Sequence, residues 1–235
     1  ATVKCWGYNG YGQLGQGDTD SRGHDAGEMG DNLAAIDLGT GRTAVSLAAG
    51  EDHVCAILDD ATVKCWGDNW HGELGQGDEE DRGDDPDEMG DNLAAIDLGT
   101  GRTAVAIATG EEHTCAILDD TTVKCWGQEY YGQLGSSDVE DRGDDPDEMG
   151  DNLAAIDLGA GRTATAISVG LGETTCVILD DTNVLCWGDN GYGQLGQGDT
   201  AQRGGWAREV MSPGARTAQL GTGRTATAIS TSDDH

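Results

Sequence analysis

The residues best equipped for chemistry in this sequence are cysteines and clustered carboxylates, and both recur on a fixed spacing. Six of the seven cysteines form pairs ten residues apart: Cys55 with Cys65, Cys115 with Cys125, and Cys176 with Cys186. Zinc sites draw on closely spaced pairs, and this interval does not imitate them. If each interval is a hairpin turning through Asp59, Asp60 and Ala61, then Leu58 faces Thr62, Ile57 faces Val63 and Cys55 faces Cys65. Opposed positions of an antiparallel pair lie within disulfide reach. Buried free thiols, or metal or redox chemistry, are the alternatives. Disulfides imply an oxidising compartment, hence an extracellular or cell-surface location.

The carboxylates gather in residues 78–91, DEEDRGDDPDEMGD, and again in 138–151, DVEDRGDDPDEMGD, with nine acids in the first stretch and eight in the second. Like charges this dense need screening by water, salt or a cation. Calcium takes six to eight oxygens in flexible geometry and is the cofactor to expect. Asp84, Asp85, Asp87, Glu88 and Asp91 are the expected ligands, repeated by Asp144, Asp145, Asp147, Glu148 and Asp151. No EF-hand spacing accompanies them, so a solvated acidic surface suited to saline water is the competing reading. Arg82-Gly83-Asp84 and Arg142-Gly143-Asp144 spell the integrin-recognition tripeptide, but each Arg is equally placed to pair with Asp78 or Asp138.

Composition narrows the partners. With 44 acidic against 13 basic residues the formal charge is -31, which argues against nucleic acid, whose phosphates require clustered cations. Basic proteins and metal ions are the natural partners. No apolar run approaches the roughly 20 residues of a membrane-spanning helix, so membrane insertion is not expected.

These groups must be positioned by a repeat. The tripeptide CWG begins at Cys5, Cys65, Cys125 and Cys186, at spacings of 60, 60 and 61, and residues 80–99 and 140–159 are identical. Each unit must bury its apolar faces against its neighbours. In the second unit four short strands are predicted, over residues 62–67, 93–98, 104–109 and 113–118, separated by glycine-rich turns. Alanine and leucine would allow a helix through AAIDLGTGRTAVAIA, but two glycines within three residues oppose it. Four strands per unit make an all-β chain of propeller blades. One array spans 1–235, with units 1–60, 61–120, 121–181 and a truncated 182–235.

The run GEDHVCAILDDATVKCWGDNWHGELGQGD resembles the repeat of the regulator of chromosome condensation (RCC) family, and the likeness recurs four times along the chain. The resemblance implies a propeller with four-stranded blades, usually seven. Four repeats are too few for that ring, so a partial or open array is expected. The family's hairpin glycine is replaced by Ala61, Thr121 and Thr182, which would push any left-handed conformation onto Asp60, Asp120 and Asp181. The paired cysteines and acidic insertions are similar to secreted bacterial or algal versions of the repeat.

Cys5 lacks a mate at the corresponding position, so either the window is cut from a longer array or a neighbouring molecule's strand completes its hairpin, which would allow polymerisation. Trp6, Trp66, Trp126 and Trp187 should fill the interfaces between blades, on the strand face opposite the cysteines. Loop residues Trp70, Tyr130, Tyr131, Trp206 and Arg208 are the candidates for partner binding. The expected function is an extracellular structural or protein-interaction module, including a filament or surface-layer subunit. The alternative is a calcium-dependent glycan- or protein-binding propeller. A guanine-nucleotide exchange factor, implied by the resemblance, is weaker, because no protruding wedge interrupts the repeat. Catalysis needs an asymmetric constellation, and nearly every polar group recurs sixty residues later, so no enzyme is expected.

Overall fold

The computed structural model describes residues 2–136, 138–205 and 217–233. Among them, three antiparallel sheets of three strands recur. The first comprises β1 (Ala44–Ala49), β2 (His53–Leu58) and β3 (Val63–Gly67). The second comprises β4 (Ala104–Thr109), β5 (His113–Leu118) and β6 (Val123–Gly127), and the third β7 (Ala164–Val169), β8 (Thr174–Leu179) and β9 (Val184–Gly188). The predicted strands at 104–109 and 113–118 are found at those bounds, and the AAIDLGTGRTAVAIA stretch is not helical. The sheets do not close into a ring.

The predicted strand at 93–98 is not formed. Residues 93–98 run extended beside β3 but make one main-chain bond to it, from Ile96 N to Val63 O at 2.9 Å. Leu93, Ile96 and Leu98 are buried, a spacing that breaks the two-residue alternation of a ladder. The carbonyl of Leu38, in the equivalent segment one unit earlier, is taken by the buried ammonium of Lys64, which also binds Gly90 O at 2.6 Å. A one-turn 3-10 helix, Gly90–Asn92, leads into the segment.

The sheets stack in one direction. Cys55, Ile57, Val63 and Cys65 on one face of the first sheet pack against Ala116, Leu118 and Trp126 of the second. Cys115, Ile117, Val123 and Cys125 meet Leu179 and Trp187 of the third in the same way. Trp66, Trp126 and Trp187 are fully buried, and each indole N–H donates to a carbonyl one unit earlier: Gln13 O at 3.1 Å, Glu73 O at 2.8 Å and Gln133 O at 2.9 Å. Trp6 departs from the expectation, being 62% exposed.

Each hairpin is stitched as its spacing predicts. Cys55 lies opposite Cys65, with Ile57 opposite Val63, and the disulfides Cys55–Cys65, Cys115–Cys125 and Cys176–Cys186 are formed with Cα atoms 4.1 Å apart. Cys5 is a free thiol. The left-handed residue is not the aspartate. Ala61, Thr121 and Thr182 themselves take φ of 65°, 69° and 66°. The turn is closed by Ala61 N donating to Leu58 O at 2.9 Å, and moving the left-handed residue to Asp60 would slide the register that the ladder fixes. Asp60 instead accepts from Thr62 N and Oγ1 at 3.2 and 2.7 Å.

Candidate functional site

The glycine-rich loop after β3 is held by its asparagine. Asn69 Oδ1 accepts from Leu74 N at 2.9 Å and Nδ2 donates to Asp78 O at 2.7 Å, which drives Leu74 into the core. Gly72 has φ of 80°, and a side chain there would meet Asp144 N at 2.3 Å. The loop of one unit is thus pressed onto the acidic loop of the next, where Gly77 N donates to Gly143 O at 2.8 Å.

This contact explains much of the acidic segment. Glu88 Oε2 accepts from Gly83 N and Asp85 N at 2.8 and 3.2 Å, and Glu148 repeats the pattern with Gly143 and Asp145. Asp91 accepts from Thr40 N and Oγ1 at 2.7 and 2.6 Å, which holds its carboxyl below the usual range, and Asp151 does the same with Thr100. Asp87 and Asp147 take left-handed φ of 70° and 69°, and their carbonyls accept from Asn92 and Asn152. Arg82 pairs with Asp78 and Arg142 with Asp138, each at 2.8 Å, so both arginines of the RGD tripeptides are engaged internally. Among the described residues, the group of three side chains whose donor atoms lie within 4.8 Å of one another is His24, Asp25 and Glu28, in the first copy of this loop.

A second cluster sits where the glycine-rich loops meet the turns that link β1 to β2, β4 to β5 and β7 to β8. Those turns carry Glu51 and Asp52, Glu111 and Glu112, and Glu173. Gln13 Nε2 donates to Asp52 Oδ1 at 2.7 Å, and Gln133 Nε2 donates to Glu173. At the junction of the second and third units His71 replaces the tyrosine found at Tyr11, Tyr131 and Tyr192. Its Nδ1 lies 2.9 Å from Asp141 Oδ2, and its Nε2 lies 3.0 Å from Gln128 Nε2 and 3.6 Å from Glu112 Oε2. Gln128 can donate only if Nε2 is unprotonated, which assigns the proton to Nδ1, facing Asp141. Burial pulls the ring down, but the bond to Asp141 and the charges of Glu112, Glu73 and Asp141 outweigh it and leave its pKa raised.

Two carboxyls here are buried where the other units carry amides. Glu73 stands in place of Gln13, Gln133 and Gln194, and Glu129 in place of Asn9, Asn69 and Asn190. Burial pushes each up to about 8, so both are largely protonated at neutral pH. Glu129 still holds its loop, accepting from Leu134 N at 2.7 Å. His71, Glu73, Gln128 and Glu129 were not singled out from sequence. Their signal was that each breaks the repeat, and Asp141 ties them together by bonding both His71 and Glu129 N, the latter at 2.8 Å.

Aromatic residues adjoin His71 and Glu129 in the sequence. Trp70 is 74% exposed and Tyr130 70% exposed, and Tyr130 meets half-buried Tyr131 edge to face at 4.7 Å. Trp206 and Arg208 lie outside the described residues. The histidines of the strands serve the seams. Thr114 Oγ1 donates to Glu73 O at 3.1 Å, so it must accept from His53 Nε2 at 2.8 Å, and burial lowers the His53 pKa to about 3. His113 repeats this contact with Thr175 at 2.9 Å.

Short sheets stacked face to face, each offering its loops to one side, define a repeat protein of the β-propeller class. The chain is built from regulator of chromosome condensation (RCC1) repeats, whose family signature matches residues 44–73, 104–133 and 164–194. It is 32% identical over 201 residues to the probable E3 ubiquitin-protein ligase HERC4 of Mus musculus, covering 86% of this chain and 17% of that protein. It is 28% identical to the ultraviolet-B receptor UVR8 of Arabidopsis thaliana, over 84% of this chain and 39% of the receptor. Yeast RCC1 (Prp20), solved bound to Kap60, superposes with a TM-score of 0.59 at 17% identity, covering 85% of this chain and 43% of that one. The chain therefore spans less than half the length of these relatives. No helix among the described residues is long and apolar enough to cross a membrane.

Proposed function

We propose that the array is a non-catalytic protein-interaction module, working outside the cell, whose loop face receives a basic protein partner. The observation that carries this reading is the exposure of Trp70 and Tyr130, each the chain neighbour of a residue, His71 or Glu129, that bonds Asp141. Large aromatic rings that stay in water at the tips of well-anchored loops are suited to contacts, and aromatic rings beside carboxylates favour cationic side chains. The charge of -31 adds long-range attraction for such a partner. Three disulfides per chain support an oxidising location.

The test is calorimetric titration of a synthetic peptide rich in arginine and lysine into the full chain at about 0.15 M ionic strength. Saturable binding that weakens at least about tenfold on Trp70→Ala or Tyr130→Ala is expected. No saturable heat, or equal affinity in both variants, would overturn the reading.

A further inference from the structure

Residues 3–7 hold the place in the first unit that β3, β6 and β9 hold in the others. Val3 O accepts from Ile36 N at 2.9 Å, as Val63 O accepts from Ile96 N and Val123 O from Ile156 N. Gly7 exchanges main-chain bonds with Arg22, as Gly67 does with Arg82. One edge of the segment is therefore fastened as in the later copies. Along their other edge β3, β6 and β9 carry β2, β5 and β8, and among the described residues no strand pairs with that edge of residues 3–7.

What this edge leaves uncovered is largely apolar. Leu47 of β1 is 47% exposed, whereas its counterpart Ile107 is 9% exposed and packs with Cys55 and Ile57 of the preceding sheet. Ala49 is exposed, whereas its counterparts Thr109 and Val169 are buried. A cavity of about 380 Å³ is lined by Cys5 and Trp6 of the segment, Leu14 of its loop, and Ala49 and Val54 of the first sheet.

The three completed hairpins define what fits. In each, the strand on this edge runs antiparallel, with cysteine opposite cysteine, isoleucine opposite valine, and His53, His113 or Thr174 opposite the glycine. A strand seated in the same register would set its cysteine against Cys5, which is a free thiol, its isoleucine against Val3 and its first residue against Gly7. The first residue is where this seam differs. His53 and His113 bond Thr114 and Thr175 of the following sheet, but the first sheet has Val54 at that place, which offers no hydroxyl. A buried histidine would lose its partner there, whereas Thr174 donates within its own strand's turn, to Gly172 O at 3.1 Å.

We infer that this edge docks an extended segment of another repeat-bearing polypeptide, of the pattern Thr-x-Cys-x-Ile-Leu, and locks it by a disulfide to Cys5. The strand would cover Leu47 and continue the seams that the units already form with one another. Binding here is independent of the basic-partner reading. The covalent step is an exchange. The Cys5 thiolate attacks the segment's cysteine, held as a mixed disulfide with a small thiol such as glutathione; the new S–S bond forms as the old one breaks. The small thiol leaves with the electron pair and takes up the proton that Cys5 released.

The probe is a synthetic peptide with the sequence of residues 172–181, its cysteine carried as the glutathione mixed disulfide. Because burial raises the Cys5 thiol, it is added to the full chain at about pH 8.5. Mass spectrometry should show one adduct, on Cys5. It should form at least about tenfold faster than with a scrambled peptide, or with the cysteine moved one place and so turned to the other face. Leu47→Asp should slow the adduct at least about tenfold and leave the melting temperature unchanged. Val45→Asp is the control: its counterpart Val105 stays 61% exposed in a completed seam, so the rate should change less than about twofold. Equal rates for the ordered and scrambled peptides would make Cys5 merely an accessible thiol and overturn the site. So would equal slowing by the two substitutions, or a Cys5-linked dimer of the chain forming in preference to the adduct with peptide in excess.

Discussion

Trp126 donates its indole N–H to the carbonyl oxygen of Glu73 at 2.8 Å, across the seam between two units. The same carbonyl accepts from Thr114 Oγ1 at 3.1 Å, so one oxygen of a loop fastens two strands of the next sheet. Trp126→Ala should cost about 3–5 kcal/mol, from lost burial and a cavity left in the seam. Trp6→Ala, at a position that is 62% exposed, should change stability by less than about 0.5 kcal/mol. Urea unfolding of both variants checks the contrast.

Glu73 makes stability fall with rising pH. Its folded pKa of about 8 lies above the ordinary carboxylate value, so the unfolded chain releases the proton first, and stability is lost progressively as pH climbs from about 4.5 to about 8. Glu73→Gln should raise stability at pH 8 by about 1–3 kcal/mol, the penalty of an unpartnered buried acceptor, and have little effect at pH 4.5. Glu129→Asn should act with the same sign, since burial raises that carboxyl to about 8 as well. Melting temperatures measured across this range test both; a variant with the wild-type pH slope would contradict the assignment.

Thr182 holds a left-handed φ of 66° that a β-branched residue adopts at a cost of roughly 1–2 kcal/mol. Glycine accepts it freely but loses more backbone entropy on folding, about 0.5–1 kcal/mol. Thr182→Gly should therefore stabilise by about 0.5–1 kcal/mol. Thr182→Pro should destabilise strongly, because proline cannot take this φ and would delete the N–H bonded to Leu179 O at 2.9 Å. Thermal unfolding of the two variants should move in opposite directions.

Each disulfide closes a short hairpin, with its cysteines 10 residues apart. Replacing Cys115 and Cys125 together by alanine should cost about 2.5–3 kcal/mol on the chain-entropy account. Alkylation of the denatured, unreduced protein should label one of the seven cysteines, Cys5. Peptide mass spectrometry reads the outcome, and label on Cys55 or Cys65 would refute the pairing.

The parts of this architecture that follow from strict alternation were legible. Cys55 opposite Cys65 required only that the hairpin turn fall on 59–61, and the seam tryptophans followed from their place beside the cysteines. The missing ladder at 93–98 was not, because the apolar residues suggested a strand while their spacing lets only Ile96 bond to it. The turn conformation at Ala61 was misjudged for a different reason. Local preference favours aspartate in the left-handed region, but the register set by the whole hairpin decides which residue must adopt it. Trp70 and Tyr130 stood out as loop aromatics, and both are exposed. His71, Glu73, Gln128 and Glu129 escaped notice because a repeat draws attention to what it keeps, whereas this cluster is assembled from what four positions discard.

The seams all point one way: a loop carbonyl in each unit receives the indole of the unit that follows, at Gln13, Glu73 and Gln133 alike. Such a stack behaves as a one-dimensional lattice whose cohesion depends on adjacent pairs alone. Excising one whole period would bring together two surfaces that already fit, and duplicating one would insert a joint of known shape. Length in this architecture is thereby uncoupled from sequence, and melting should start at the outermost unit and advance inward.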